Sequence, residues 1–400
     1  MKLFVQHGHQ PSDKIKLGLE EKVVEGVIYS PRYVNPKRLN LLIEDARNSN
    51  KKSEIMIDPE FYATRHVENP NNQLGYLTDW EHFIPQRRRD LITAKTVDSV
   101  LLKTFEIMNS YNPSAFISPN IYISESFDSM EAGISINFLS RAKILASRCN
   151  NSIPVYATLA IDHRALLNTN NFKTFLNDIT ALDDPPDGFY ILIGRGMINE
   201  RSDLVNSEMV TPAVIGGWML INYILSINEY QVINGYSDIL TPFLGAVGGS
   251  AGATGWWSNL RTFTLGKYIR SEGFGGRAPN IKYLSKKLFN RLKLEERESY
   301  SEIISNVKNN LLHDKDYDSG VPNRSTESLQ TWEAITSLNK DLIKNDMEDS
   351  LKALEIAVAD AQNAYSKLVS VGLTEGYEAV NEYLSTLTES INVFRKLAEI

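Results

Sequence analysis

The chain has 400 residues, a formal net charge of −7, and apolar and charged fractions of 42% and 23%, the proportions of an ordinary globular protein. The negative balance argues against a general polyanion-binding surface and leaves room only for a local basic patch. Its single cysteine, Cys149, excludes an internal disulfide and a thiolate metal site. The opening residues MKLFVQHGHQ lack the apolar core of a secretion signal. The longest apolar stretch, Ile215 to Ile227, is interrupted by Asn222 and falls short of the ~20 residues a membrane span needs. The expectation is a cytoplasmic protein without a membrane partner.

In chain order, eight short apolar runs break into polar or glycine residues: LFVQHG from Leu3, GVIYSP from Gly26, EIMIDPE from Glu54, AFISPN from Ala115, VYATLAID from Val155, FYILIGR from Phe189, QVINGYS from Gln231 and GATGWW from Gly252. Most are followed by a helical stretch, although Pro11 to Glu25 need not hold a full helix. Strands alternating with helices predict a parallel sheet, and eight of them suit a closed (β/α)8 TIM-like barrel in an α/β protein. Such a barrel spans residues 1–295 in this reading and carries its active face at the strand C-termini.

The first run ends His7-Gly8-His9, two histidines that can share a strand face and hold a metal, although no other histidine is near in sequence. In the third run Asp58 and Glu60 flank Pro59, and strand alternation aims both at the rim. That pair suits general acid–base chemistry or divalent-metal coordination, and equally a structural role beside an arginine or a helix N-terminus. The long loop from Thr64 to Leu91 carries His66, Trp80, Glu81, His82 and Arg87-Arg88-Arg89, a candidate lid or, through its arginines, a nucleic-acid contact. Asp162, His163 and Arg164 close the fifth run with a proton-transfer group beside an anion and a cation. Arg32 after the second run and Arg195 in Gly194-Arg195-Gly196 are candidate anion holders, since guanidinium pairs bidentately with carboxylate or phosphate.

Between the last two runs lies Gly245-Ala246-Val247-Gly248-Gly249-Ser250-Ala251-Gly252-Ala253-Thr254-Gly255, whose glycines, notably Gly249, Gly252 and Gly255, either cradle a phosphate or allow close helix packing. Trp256, Asn259 and Arg261 follow, able to stack on and read a planar base or to serve as core and cap.

After Arg291 the texture changes. Residues 296–330 read as a helix and linker, with the polar stretch Asp314 to Ser328 as exposed loop. Residues 331–400 read as a helical hairpin or bundle: Leu351, Leu354, Val358, Ala361, Tyr365 and Leu368, then Tyr377, Val380, Leu384, Leu387, Ile391, Phe394 and Ala398, follow a heptad spacing around a turn at Gly372-Leu373-Thr374. These seams pack on each other or on the barrel, or else join copies of the chain or dock a partner protein.

The stretch Gly235-Tyr236-Ser237-Asp238-Ile239-Leu240, followed by Gly248-Gly249, Asn259-Leu260-Arg261 and later Tyr283-Leu284-Ser285, resembles the tRNA-guanine transglycosylase barrels over roughly the last quarter of the barrel. The resemblance implies a base-binding barrel in which Asp238 belongs to the ligand-contacting segment and Asp58 stands near the place of an acid on an early strand, without the surrounding motif. Where that family has its nucleophilic aspartate, Ser250 to Thr254 offers no carboxylate, and Cys149 cannot supply the three-cysteine, one-histidine zinc cluster. The implied exchange chemistry is therefore lost or relocated. The sequence points first to an enzyme, a transferase or hydrolase, acting on a small anionic or nucleotide-like ligand, with Asp58, Glu60, Asp162 and His163 as catalytic candidates, no metal and no identified cofactor. A non-catalytic nucleotide or nucleic-acid sensor and a scaffold assembled through the tail helices are the alternatives.

Overall fold

The computed structural model describes residues 1–195, 210–270, 280–320, 322–373 and 376–400, so Gly196 and Thr374 of the segments above lie outside the described residues. Each apolar run forms a strand: Lys2–Gln6, Gly26–Tyr29, Glu54–Ile57, Phe116–Ile117, Val155–Asp162, Gly188–Arg195, Gln231–Asn234 and Ala251–Thr254, hereafter the first to the eighth strand. Between them run the helices Lys14–Glu20, Pro36–Ser49, Ala94–Asn109, Met130–Cys149, Thr169–Thr180, Pro212–Ile227 and Thr241–Ala246.

Every ladder between these strands is parallel, in the order third, second, first, eighth, seventh, sixth, fifth, fourth. The two outer strands then meet. The Ser114 amide donates to the Ile55 carbonyl at 2.8 Å, and the Ile55 amide to the Ser114 hydroxyl at 2.9 Å. The sheet is thus a nearly closed parallel barrel of eight strands. Residues on the strands are almost all buried, as expected where helices cover one face and the barrel interior the other.

The chain after the eighth strand bends back over the C-terminal mouth. Phe263–Thr264 adds a short strand beside the end of the sixth, pairing Phe263 with Gly194 and Thr264 with Arg195, and the turn Leu265–Tyr268 follows it. This return segment carries side chains into the mouth from a point far along the chain.

The polar stretch Asp314 to Ser328, of which Val321 lies outside the described residues, is only partly exposed: Lys315, Asp316 and Asp318 face solvent, but other residues are built into the fold. It contains the short helix Asp314–Asp318 and the start of the helix Arg324–Leu342, with Asp314, Tyr317, Glu327 and Ser328 buried. Its polar groups can be buried because they are paired: Asp314 accepts from the Tyr283 hydroxyl at 2.9 Å, and Glu327 accepts from the Lys282 amide at 3.0 Å. The helix Arg324–Leu342 packs on the first helix, the first strand and the helix Thr241–Ala246, with Trp332 fully buried. That is the place a helix following an eighth strand occupies when it closes the outer ring.

The remaining helices, Met347–Ser370 and Tyr377–Ala398, run antiparallel. Arg395 near the end of the second reaches Glu348 at the start of the first, and Gln362 donates to Ser385 midway. Leu351, Leu354, Val358, Ala361, Tyr365 and Leu368 are all buried, as are Leu384, Leu387, Ile391 and Phe394. The second helix lies on the barrel helix Pro212–Ile227, where Tyr223 and Phe394 meet edge to face at 5.7 Å. One continuous apolar core therefore runs from Leu3 to Phe394.

Candidate active site

The third strand delivers two acids to the barrel interior. Asp58 and Glu60 are 1% and 0% exposed. Between them the chain turns on Pro59, and Glu60 itself adopts a left-handed backbone, φ 50°, costing roughly 1 kcal/mol for a residue with a side chain. The turn is held by the Glu60 amide donating to Asp58 Oδ1 at 2.9 Å. Asp58 Oδ2 accepts from the Tyr62 hydroxyl at 2.8 Å, while Glu60 accepts from Ser30 at 2.6 Å and from Tyr268 at 2.8 Å. Burial, reinforced by the neighbouring Glu60, pushes the Asp58 carboxyl up to about 7.

Lys267, on the return segment, enters the same cluster. It is 5% exposed and donates to the Tyr236 hydroxyl at 2.7 Å. The rings of Tyr236, Tyr268 and Phe263 surround its nitrogen at 4.7, 4.9 and 5.2 Å. Among the described residues it has no ion pair, and burial lowers its amine to about 8, the attraction of Glu60 only partly opposing the shift. Tyr190 faces the cluster from the sixth strand and donates to Gln6 Oε1 at 3.2 Å, while the buried Gln6 Nε2 has no partner among the described residues. The hydroxyls of Tyr62, Tyr190, Tyr236 and Tyr268 are all raised well above 10, burial being the main cause, and so stand as donors at neutral pH.

Lys267, Tyr190 and Tyr268 escape sequence reading because none stands beside a recognised acid; Tyr62 and Tyr236 do follow or precede one closely, but a tyrosine there carries no signal that tells a site from core. The one available signal was that any loop after the eighth strand opens on the active face.

Arg32 is buried beside this cluster, but as a strut. It donates to the carbonyls of Gln73 and Lys267 and stacks on Tyr33 and Tyr268 at 5.2 and 4.9 Å, fixing the return segment to the second strand. Arg195 ends the sixth strand fully buried, in register with Thr264 of the return segment.

The other predicted residues are placed elsewhere. Asp162 is buried at the end of the fifth strand, where its carboxylate accepts from the backbone amide and the guanidinium of Arg164 at 2.9–3.0 Å. His163 points its Nδ1 at the Gly194 carbonyl, 3.3 Å away. The rings of Tyr62, Phe263 and Tyr122 stand in line between Asp58 and this pair, with centroids 5.3 and 6.1 Å apart. Burial alone would raise the Asp162 carboxyl, but Arg164 outweighs it and holds the group below the usual carboxylate range. That contribution to stability is present above pH ~4 and lost as pH falls through the depressed value. Arg164→Ala is therefore expected to destabilise the chain at pH 7 and to converge with the parent as pH falls below the depressed Asp162 value. Urea midpoints across that range are the measurement, and a pH-independent difference would count against the pairing.

Asp238, also left-handed at φ 44°, accepts a bidentate pair from Arg291 at 2.7 and 2.8 Å and a bond from Thr254 at 2.7 Å. It ties the hairpin Tyr283–Ser285/Asn290–Leu292 to the barrel. Gly249 precedes the eighth strand and so lies at its N-terminal end, away from the mouth; a Cβ there would press on Asn222 and the Leu244 carbonyl. Gly252, inside the strand, faces Thr241 and Ser237, so both serve close packing, and Gly255 alone stands at the mouth end. Trp256 and Trp257 donate to the His9 carbonyl at 2.9 and 3.3 Å, Arg261 to the carbonyls of Gly255 and Trp256, and Asn259 is exposed.

His7 is buried and His9 exposed, so they do not form a pair. Burial drops His7 to about 3, keeping it neutral. His66 stacks on Tyr268, His82 bonds the Pro59 carbonyl, and Arg88 pairs with Glu131 at 2.9 Å, so the long loop buttresses the third strand. Among the described residues no group of three or more histidine, cysteine or acidic side chains is placed to hold a metal, and no helix is long and apolar enough to cross a membrane.

No protein-family model and no curated protein matches the sequence. Among solved structures, the enoyl reductase domain of MlnA from the macrolactin biosynthesis cluster of Bacillus amyloliquefaciens is similar at 13% identity and a TM-score of 0.29, over 100% of this chain and 96% of that one. A likeness at that level carries no argument for either fold or chemistry.

Proposed function

We propose that the chain is a (β/α)8-barrel enzyme that moves a proton on a small anionic or nucleobase-like ligand held at the C-terminal mouth. The observation that carries this reading is the buried Asp58–Glu60 pair sharing one tyrosine-lined cluster with Lys267. The acid is raised to about 7 and the amine lowered to about 8, so both can exchange protons near neutral pH. Gln6 Nε2, unpartnered among the described residues, supplies a donor for an acceptor atom of the ligand, and the tyrosine rings supply faces for a planar group.

In this reading the resemblance to tRNA-guanine transglycosylases extends to the ligand class, while Asp238, bound to Arg291 and Thr254, serves the frame around the site. The heptad-spaced tail is read as a helical hairpin that covers the barrel.

Small molecules released from the purified, denatured chain and identified by mass spectrometry test the proposal. A compound carrying an anionic group or a base is expected from the parent chain, and markedly less of it from Gln6→Leu and Glu60→Gln. A parent that releases nothing, and whose unfolding temperature does not move with nucleobases, nucleotides or phosphoesters, would sink it.

A further inference from the structure

We propose that Lys267 is a covalent catalyst, its Nζ condensing with the carbonyl carbon of a small aldehyde or ketone to form an imine. The inference rests on reading the mouth as an active site and names the substrate class of that site.

A lysine so deeply buried normally has a carboxylate partner, because an unpaired ammonium in an apolar surround is costly. Lys267 has none among the described residues; its hydrogen bond goes to a phenol, Tyr236, and its walls are rings. The nearby acids are engaged elsewhere, Asp58 with Tyr62 and the Glu60 amide, Glu60 with Ser30 and Tyr268. An amine desolvated in this way gives up its proton more readily than an ordinary lysine, so a larger fraction is the free base, the form that attacks carbonyls. The lowered amine and raised carboxyl in the same cluster agree with that assignment.

The step balances without an added oxidant or reductant. The Nζ lone pair attacks the carbonyl carbon, and the C=O pair moves to oxygen, which takes a proton from the Asp58 carboxyl. The nitrogen then gives a proton back to the Asp58 carboxylate, Asp58 passes it to the carbinolamine hydroxyl, the hydroxyl leaves as water, and a protonated C=N bond remains. Tyr236, already bonded to Nζ, is the positioned relay for the proton the nitrogen loses. A site with this chemistry reacts with carbonyl compounds, and a bound ligand that has no aldehyde or ketone forms no adduct on Lys267.

The full-length chain is labelled with trace acetic anhydride from pH 6 to 11, and acetylation of each lysine is followed by peptide mass spectrometry. In parallel it is incubated with pyruvate or dihydroxyacetone phosphate and reduced with borohydride. Lys267 is expected to acetylate with a midpoint near 8, well below that of an ordinary lysine side chain, and at least one carbonyl probe is expected to leave a reduced adduct on Lys267 that Lys267→Met abolishes. A Lys267 that labels only above pH 10, or adducts confined to surface lysines, overturns the proposal. Should Lys267 prove inert while Glu60→Gln still loses its ligand, the active-site reading stands and the imine alone falls; failure of both removes the site itself.

Discussion

Replacing Asp58 with asparagine is expected to stabilise the chain above pH 7 and to silence the mouth as a proton-transfer site. In the folded chain Asp58 holds its proton up to about pH 7, whereas an unfolded aspartate releases it near 4. Between those values the folded state binds more protons than the unfolded one, so stability falls as pH rises, and above pH 7 the full cost of the buried carboxylate is present. Asparagine has no such cost and preserves the shape of the protonated acid. It can still accept at Oδ1 from the Glu60 amide and offer its NH2 to the Tyr62 oxygen. The variant and parent should agree near pH 4 and diverge by roughly 2–4 kcal/mol at pH 8. Lys267 adds the opposite slope, a penalty present below about 8 and relieved as pH climbs toward 10.5. Turnover of the recovered ligand should fall on the order of 10²–10⁴-fold, the usual scale of a lost general acid. Urea unfolding at a series of pH values checks the first part, and a variant no more stable than the parent at pH 8 would refute it.

That antagonism between stability and chemistry explains how much of the site sequence could reveal. Asp58 and Glu60 were legible in position because the apolar run stops at Ile57 and the two acids follow at its C-terminal end, although it is the turn at Pro59 and the left-handed Glu60, not strand alternation, that brings both inside. The eight strands were legible from their apolar runs: every run starts within one residue of its strand, though six of the eight extend two or three residues past its C-terminal end, and parallel order follows from the intervening helices. Asp162 was legible in position but not in role, because Arg164 two residues on folds back to neutralise it, an outcome decided by side-chain geometry. Gly249 was misplaced by a matter of topology. A glycine loop leading into a strand lies at the barrel's N-terminal end, the face that carries stability rather than chemistry. Lys267 was invisible because it enters the mouth only through the return segment's pairing with the sixth strand, Phe263 to Gly194, a long-range contact that no local pattern announces.

A chain ended after Ile343 is expected to lose its cooperative unfolding transition. The helix Pro212–Ile227 is apolar on every side, burying Val214, Ile215, Trp218, Met219, Ile221 and Leu225 among others, and a helix of that kind needs cover on both faces. One face meets the seventh strand, where Trp218 Nε1 donates to Asn234 at 2.7 Å. The other meets the tail so closely that a Cβ at Gly216 would fall 2.7 Å from Val393 and 3.0 Å from the Ser390 carbonyl. Removing the tail bares that face together with the partners of Leu351, Leu354 and Val358, an apolar patch no monomer tolerates well. Phe394→Ala alone, which empties one ring's volume at the centre of this contact, should cost about 3–5 kcal/mol, a large part of the 5–15 kcal/mol that typically separates folded from unfolded. The midpoint and slope of urea unfolding report both changes. If the shortened chain unfolds with the parent's midpoint, the tail is a separable module, and loss of assembly would be the thing to measure. If it does not, tail and barrel share one core, and the strained turn at Glu60 is sustained by packing that extends well beyond the mouth it shapes.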